Sequence, residues 1–190
     1  PFMLHAIVPL VEGFRAQYPN VELELNSNEG ITDLIEQRTD VALRIGALKD
    51  STLHARALGS SKVRILASPV YLQQHGTPKT IADLKKHVLL GFSKPEALNE
   101  WPLRQPDGDA VQITPHILSQ NGETLRHLAL AGQGIVCLSD FMTREDRRAG
   151  ALVEVFAKQL VDVRQSIHAV YYRNTALASR ISCFLDFVAQ

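Results

Sequence analysis

Short apolar strands and amphipathic helical stretches alternate along this chain from end to end, and that alternation restricts the folds open to it. Leu4, Ile7, Val8, Val11 and Phe14 recur at helical spacing, and Tyr18-Pro19-Asn20 stops the pattern. Val21–Leu25 alternates strictly, which predicts a strand with one wet face. Ser27–Gly30 reads as a loop, and Ile31, Leu34 and Ile35 mark a short helix. Val41–Ile45 and Val63–Ala67 read as strands. Ser68 then caps a helix that Pro69 opens and Gly76 stops. Thr80–Asp83 resembles a capping box for a helix through His87, followed by a strand over Val88–Phe92. Residues 95–109 read as loop-rich, with a turn at Asp107-Gly108, and 113–118 as extended around Pro115. Asn121 caps a helix carrying Leu125, Leu128 and Ala129, and Gly132-Gln133-Gly134 turns it into a strand at Ile135–Leu138. Asp140 is expected to cap a helix through Arg148 that Gly150 ends. Strands over Leu152–Phe156 and Ile167–Tyr172 follow, and Leu177, Ile181, Phe184, Leu185 and Val188 form a closing amphipathic helix. The pattern predicts an α/β architecture with mainly parallel pairing.

Length and charge narrow the function classes. The 190 residues fit one large domain or two small lobes, and 45% hydrophobic residues suffice for a packed core. Lys+Arg and Asp+Glu both number 20. There is no basic excess or stripe, so the chain is not expected to hold DNA by itself. The densest basic run, Arg144–Arg148, carries its own acids and reads as a solvated helix face. Apolar runs such as IVCL are far short of the ~20 residues of a membrane helix, and the first residues do not read as a signal peptide. The chain opens inside a helical pattern without an initiator Met, as a piece of a longer protein would. Cys137 and Cys183 stand in apolar surroundings at no metal or redox spacing, which fits a reduced, cytoplasmic chain.

The chemistry-bearing residues favour binding over catalysis. Seven histidines are scattered with no HxxxH or HExxH spacing, so no metal site is expected. Gly132-Gln133-Gly134 follows a helix and precedes a strand, the reverse of a dinucleotide loop, so no cofactor is expected either. Ser93 and Ser139 end strands without a histidine placed to activate them; each hydroxyl could cap a helix or meet a ligand. Arg44 stands in the otherwise apolar VALRI strand, at its carboxyl end, where open α/β sheets bind ligands. It either pairs with Asp40 or Asp50, or reaches a ligand. Asn121 is both an ordinary cap and, with the N–H groups behind it, a candidate anion or polar-ligand site.

Five segments in order carry a family likeness: FRAQYPNVELEL, DVALRIGALKDSTLHARALG, ILASPVYLQQHGTPKTIADLKKH, LRHLALAGQGIVCLSDFMTREDRRAGALVEVF, and VYYRN followed by Ile181–Ala189. Together they resemble the effector-binding (substrate-binding) domain of LysR-type bacterial transcriptional regulators. The resemblance implies a periplasmic-binding-protein type 2-like fold. Two Rossmann-like α/β lobes would be joined by two crossover strands, near 67–68 and 161–165. Lobe I would be residues 1–67 plus 166–190, and lobe II residues 68–165. The family's first strand and its winged helix-turn-helix would lie outside this chain. The family's effector contacts fall on Ser27, Asn28, Arg44, Ile45, Phe92, Ser93, Asn121, Gly122 and Thr124, with Gly134 and Ile135 lining the cleft between lobes. The implied function is sensing a small-molecule effector, with a carboxylate as candidate class given Arg44 and the Asn121 helix start. Homodimers or tetramers, DNA contact only through the missing N-terminal domain, a cytoplasmic location, and no membrane, metal or enzymatic activity complete the expectation. The alternative is a solute-binding protein of a transporter, which the reduced cysteines disfavour.

Overall fold

In a computed structural model, the structure describes residues 1–27, 39–48, 53–172 and 179–189. Its strands are β1 (Ala42–Ile45), β2 (His54–Ala67), β3 (Leu89–Phe92), β4 (Glu100–Arg104), β5 (Ala110–Gln112), β6 (Ile117–Ser119), β7 (Ile135–Ser139), β8 (Val153–Glu154) and β9 (Arg164–Tyr171). Its α-helices are α1 (Val11–Gln17), α2 (Pro69–His75), α3 (Gly122–Leu130), α4 (Asp140–Arg148) and α5 (Ser179–Val188).

The local signals that name their own hydrogen-bond partners are realised. Ser68 Oγ accepts from Tyr71 N at 3.3 Å, Pro69 opens α2, and Gly76 leaves it at φ 80°. The Thr80–Asp83 capping box forms, but on a 3₁₀ helix over Ile81–Lys86. Hydrogen bonds from the Thr80 N–H, the Thr80 hydroxyl and the Lys79 N–H hold the Asp83 carboxyl at a pKa of about 2. Before α1, Met3–Ile7 winds as a π-helix and Val8–Leu10 as a 3₁₀ helix. Pro9 lacks an N–H, so the regular i→i−4 ladder cannot run through it.

The chain divides into two compact units. One comprises Phe2–Ser61 and Arg164–Gln190. Its strand order is β1-β9-β2, with β1 antiparallel to β9 from Ala42↔Val170 to Ile45↔Ile167. Ala169, Ile181 and Leu185 are its buried cluster, flanked by Val41, Leu43, Leu58, Tyr171 and Phe184. Phe14 anchors α1 through ring contacts with Tyr18, Phe184 and Phe187 at 5.1, 5.7 and 5.4 Å.

The other unit is Lys62–Val163 with Pro1. Its strand order is β2-β7-β3-β6, with β8 on β2 and a separate β4–β5 hairpin. Successive β7 residues point to opposite faces, so Ile135 and Cys137 join one core while Val136 and Leu138 join the other. The first core packs Tyr71, Trp101 and Leu103 on the sheet; the second packs Leu125 and Ala129 of α3 and Met142 of α4. The Cys137 thiol is buried, which pushes its pKa up to about 12.

Several expectations are corrected. Val21–Leu25 is not a strand: alternation supplies two faces but no neighbour, and among the described residues 21–27 have no ladder partner. β2 begins at His54 rather than Val63. The loop-rich 95–109 contains β4 and, with residues 110–112, makes a hairpin whose Trp101, Leu103 and Val111 are buried. The strand expected over Leu152–Phe156 shrinks to Val153–Glu154. Asp140 is the first residue of α4, not its cap; Ser139 occupies the cap position. Pairing is mixed. β3 runs parallel to β6 and β7, but β2–β7, β2–β8, β1–β9 and β4–β5 are antiparallel. The segment holding α2 and the 3₁₀ helix carries the chain from β2 to β3 without restoring its direction. The helix expected at Ile31–Ile35 lies outside the described residues.

Candidate functional site

The carboxyl ends of β3 and β6 meet the amino end of α3. Phe92 pairs in register with Ser119, and Ser93 N donates to Ser119 O at 3.1 Å. Ser119 Oγ accepts from Asn121 N at 3.0 Å and donates to Asn121 O at 3.2 Å, turning the chain into α3. Asn121 Oδ1 accepts from Glu123 N at 2.8 Å and Thr124 N at 3.3 Å. Phe92, Ser93, Asn121, Gly122 and Thr124 are therefore brought together. Gly122 is buried where a Cβ would stand 3.1 Å from Met142 Cε. An open depression of about 530 Å³ runs along α3, lined by Asn121, Glu123, Thr124, His127, Leu128 and Ala131.

The cap changes what this end can bind. The Asn121 carboxamide already takes two of the N–H groups that an anion at the helix start would use. Ser119 and the α3 residues Glu123 and His127 are additions that the sequence reading missed. A serine at a strand end, two residues before a cap, was the available signal for Ser119.

Gly134 and Ile135 lie elsewhere. β7 is parallel to β3 with Leu89↔Ile135 in register, so Ile135 stands at the start of β3 and Phe92 at its end. Three residues along a strand separate them by ~10 Å. Ile135 is fully buried, its N–H donating to Val88 O at 2.9 Å. Gly134, at φ 156°, passes so close to Val88 that a Cβ would lie 2.5 Å from its carbonyl oxygen.

Arg44 and Ile45 close β1 in the other unit, opposite His168 and Ile167. Arg44 is half-buried and Ile45 exposed. Directly opposed residues share a face, so Arg44 and His168 are neighbours. The buried His168 Nδ1 has no hydrogen-bond partner among the described residues. Asp40, one expected partner of Arg44, is 3.4 Å from Arg180. Ser27 is exposed; Asn28 and Asp50 lie outside the described residues.

Two ion clusters hold the elements behind the strand ends. Arg126 of α3 grips Asp146 of α4 twice, Nε to Oδ2 at 2.6 Å and Nη2 to Oδ1 at 2.7 Å, and reaches Glu123 at 3.2 Å. Arg64 of β2 and Arg147 of α4 share Asp140 and Glu154. Burial works to raise the Asp140 carboxyl, but the Arg64 hydrogen bond and the charges of Arg147, Arg64 and Arg144 outweigh it and hold the pKa below its ordinary value. The Arg144–Arg148 run is thus only partly a solvated face, because Asp146 and Arg147 are built into these clusters. Among the described residues no group of His, Cys, Asp or Glu could hold a metal ion, and no helix is long and apolar enough to cross a membrane.

The family model for the LysR substrate binding domain matches residues 1–190. The chain is 44% identical over 190 residues to the HTH-type transcriptional regulator CrgA of Neisseria meningitidis serogroup B, covering all of this chain and 64% of that regulator. It therefore spans just under two thirds of the length of such relatives. The solved regulatory domain of CrgA superposes with a TM-score of 0.95 at 44% identity, over 100% of this chain and 93% of that one. Full-length AphB, a virulence activator of Vibrio cholerae, superposes at 0.82 with 27% identity, over 99% of this chain and 64% of that one. These relatives are transcriptional regulators rather than enzymes, and the solved domains share the two-lobe periplasmic-binding-protein-like fold. The chain belongs to the LysR substrate binding domain family.

Proposed function

We propose that this chain is the effector-sensing part of a cytoplasmic, DNA-binding transcription regulator whose winged helix-turn-helix lies outside it. The 44% identity to CrgA across the whole chain carries this reading, and it favours a regulator over the transporter alternative. Residues 1–67 with 166–190 would serve as regulatory lobe I and 68–165 as lobe II. The regulator would act as a dimer or tetramer and touch DNA only through its N-terminal domain.

The effector is a small molecule. In lobe II its contacts are Phe92, Ser93, Asn121, Gly122 and Thr124. In lobe I they are Ser27, Asn28, Arg44 and Ile45. With two Asn121-helix N–H groups already taken by the cap, the carboxylate class rests mainly on Arg44. The effector shifts the regulator only through unequal affinity for its two states.

Calorimetric titration of this chain with acetate, succinate and benzoate, each beside its amide, tests the reading. At least one acid should bind more tightly than its amide, and Arg44→Ala should weaken that acid by roughly tenfold or more. Equal affinity for acid and amide would remove the carboxylate class, and equal affinity in Arg44→Ala would remove Arg44.

A further inference from the structure

Asn99 ends the 3₁₀ helix Glu96–Asn99 and is 3% exposed. Both ends of its carboxamide go to one residue. Oδ1 accepts from Phe92 N at 2.8 Å, and Nδ2 donates to Phe92 O at 2.8 Å. Its own carbonyl accepts from Ile113 N at 3.0 Å, so the side chain is aimed from a fixed backbone.

This bond pair has a reason in the strand. On the β6 side, β3 is paired through Phe92, with Ser93 N on Ser119 O. On the β7 side the register runs through Leu89 and Leu90 only. Backbone polar groups alternate sides along a strand, so the Phe92 N–H and C=O are the next to point toward β7. Asn99 takes both, acting as a one-residue strand where the ladder has ended. Gly91 lets it approach: a Cβ there would lie 2.6 Å from Asn99 Oδ1 and 2.3 Å from Pro115 Cγ.

We propose that Asn99 is a positioning residue of the effector site, fixing the Phe92–Ser93 end of β3 in the orientation that meets the effector. The inference rests on the effector reading of Phe92 and Ser93. An apolar or charged side chain at 99 would leave the outline of the unit intact but free this strand end.

Amide hydrogen exchange and titration with the acetate, succinate and benzoate panel test it together. In Asn99→Ala, protection of the Phe92 amide should fall roughly tenfold or more, as loss of a part-buried hydrogen bond requires. Protection at Leu66 and Val136 should stay unchanged. Affinity for the tightest panel acid should fall by a similar factor. Asn99→Asp separates position from bulk, because a neutral carboxyl supplies one acceptor and one O–H donor like the carboxamide, whereas the ionised form has no donor. Phe92 N–H keeps an acceptor in either form of Asn99→Asp, so its protection should exceed that in Asn99→Ala at every pH, whereas the bond to Phe92 O is lost as the carboxyl ionises. Unaltered Phe92 protection in Asn99→Ala overturns the inference. Lost protection with unchanged acid affinity reduces Asn99 to a structural residue and overturns it as well. If no panel acid binds the unaltered chain, the effector reading itself fails, and this inference with it.

Discussion

The two units use the same strand–helix grammar and hold themselves together differently. In Lys62–Val163, Trp101, Leu103, Leu90 and Val136 are buried on both faces of one sheet, and the Arg126–Asp146 pair is 17% and 10% exposed. In the unit of Phe2–Ser61 and Arg164–Gln190, the described residues give a cluster of Ala169, Ile181 and Leu185 and an aromatic group around Phe14. Its described ion pairs are solvent-facing: Arg56–Asp186 at 38% and 62% exposure, Arg180–Asp40 at 61% and 52%. Stability is not uniform across a structure, and buried contact density is what raises it. Among the described residues, the unit carrying Phe92, Ser93 and Asn121 is thus the more densely packed platform.

Trp101→Ala should break this comparison most severely. Trp101 is 1% exposed in the hairpin core, and truncating such a residue costs about 4 kcal/mol. A urea midpoint read by circular dichroism measures it, since Trp101 is the only tryptophan. A cost below about 1.5 kcal/mol would mean that the hairpin core is replaceable, as a surface site would be. Arg126→Ala follows at about 3 kcal/mol, because it strands the buried Asp146 carboxylate without its partner. The same urea titration in 1 M salt should leave that cost largely in place.

What could be read from sequence is what depends on near neighbours. The Ser68, Thr80 and Asn121 caps were legible because donor and acceptor stand within three residues. Ile135–Leu138 was legible because burial on both faces leaves a continuous apolar run. The hairpin was not, because Pro95, Pro102 and Pro106 make 95–109 look like loop while Trp101 and Leu103 already alternate toward a core. At the site, strand ends and the cap were visible. Asn99 on Phe92 and Arg126 on Asp146 were not, since those partners meet only after the sheet and helices pack.

A smaller effect should distinguish the platform by pH. His87 is 6% exposed, and its Nδ1 lies 3.2 Å from the Tyr71 hydroxyl. That hydroxyl oxygen also accepts from Val88 N at 2.9 Å, and its own proton suits an unprotonated Nδ1. Burial, then the charges of His75 and Lys86, lower the His87 pKa from its ordinary 6.5 against the opposing pull of Asp83. The unfolded chain therefore binds this proton more readily than the folded one. The contribution to stability is present above pH 6.5 and is lost as pH falls below it toward the folded value. Urea midpoints at pH 7.5 and pH 5.5 should differ by less in His87→Gln than in the unaltered chain; an equal difference would place the pH sensitivity elsewhere.

Arg56→Ala should have the smallest effect and sharpen the comparison from the other side. Arg56 lies in β2 and reaches Asp186 of α5 at 2.7 Å, an ion pair that ties a helix to its neighbour as Arg126 ties α3 to α4, but in water. An exposed pair gains little Coulomb energy at high dielectric and gives up side-chain entropy, so the substitution should cost about 0.5 kcal/mol. At 1 M salt the screening length is about 3 Å, and the cost should vanish. Urea midpoints of Arg56→Ala and Arg126→Ala, each at 0.05 M and 1 M salt, place the two attachments on one scale. If Arg56→Ala cost as much as Arg126→Ala and salt left it untouched, α5 would be held as α3 is held. The tighter hold assigned to the platform would then belong to both units.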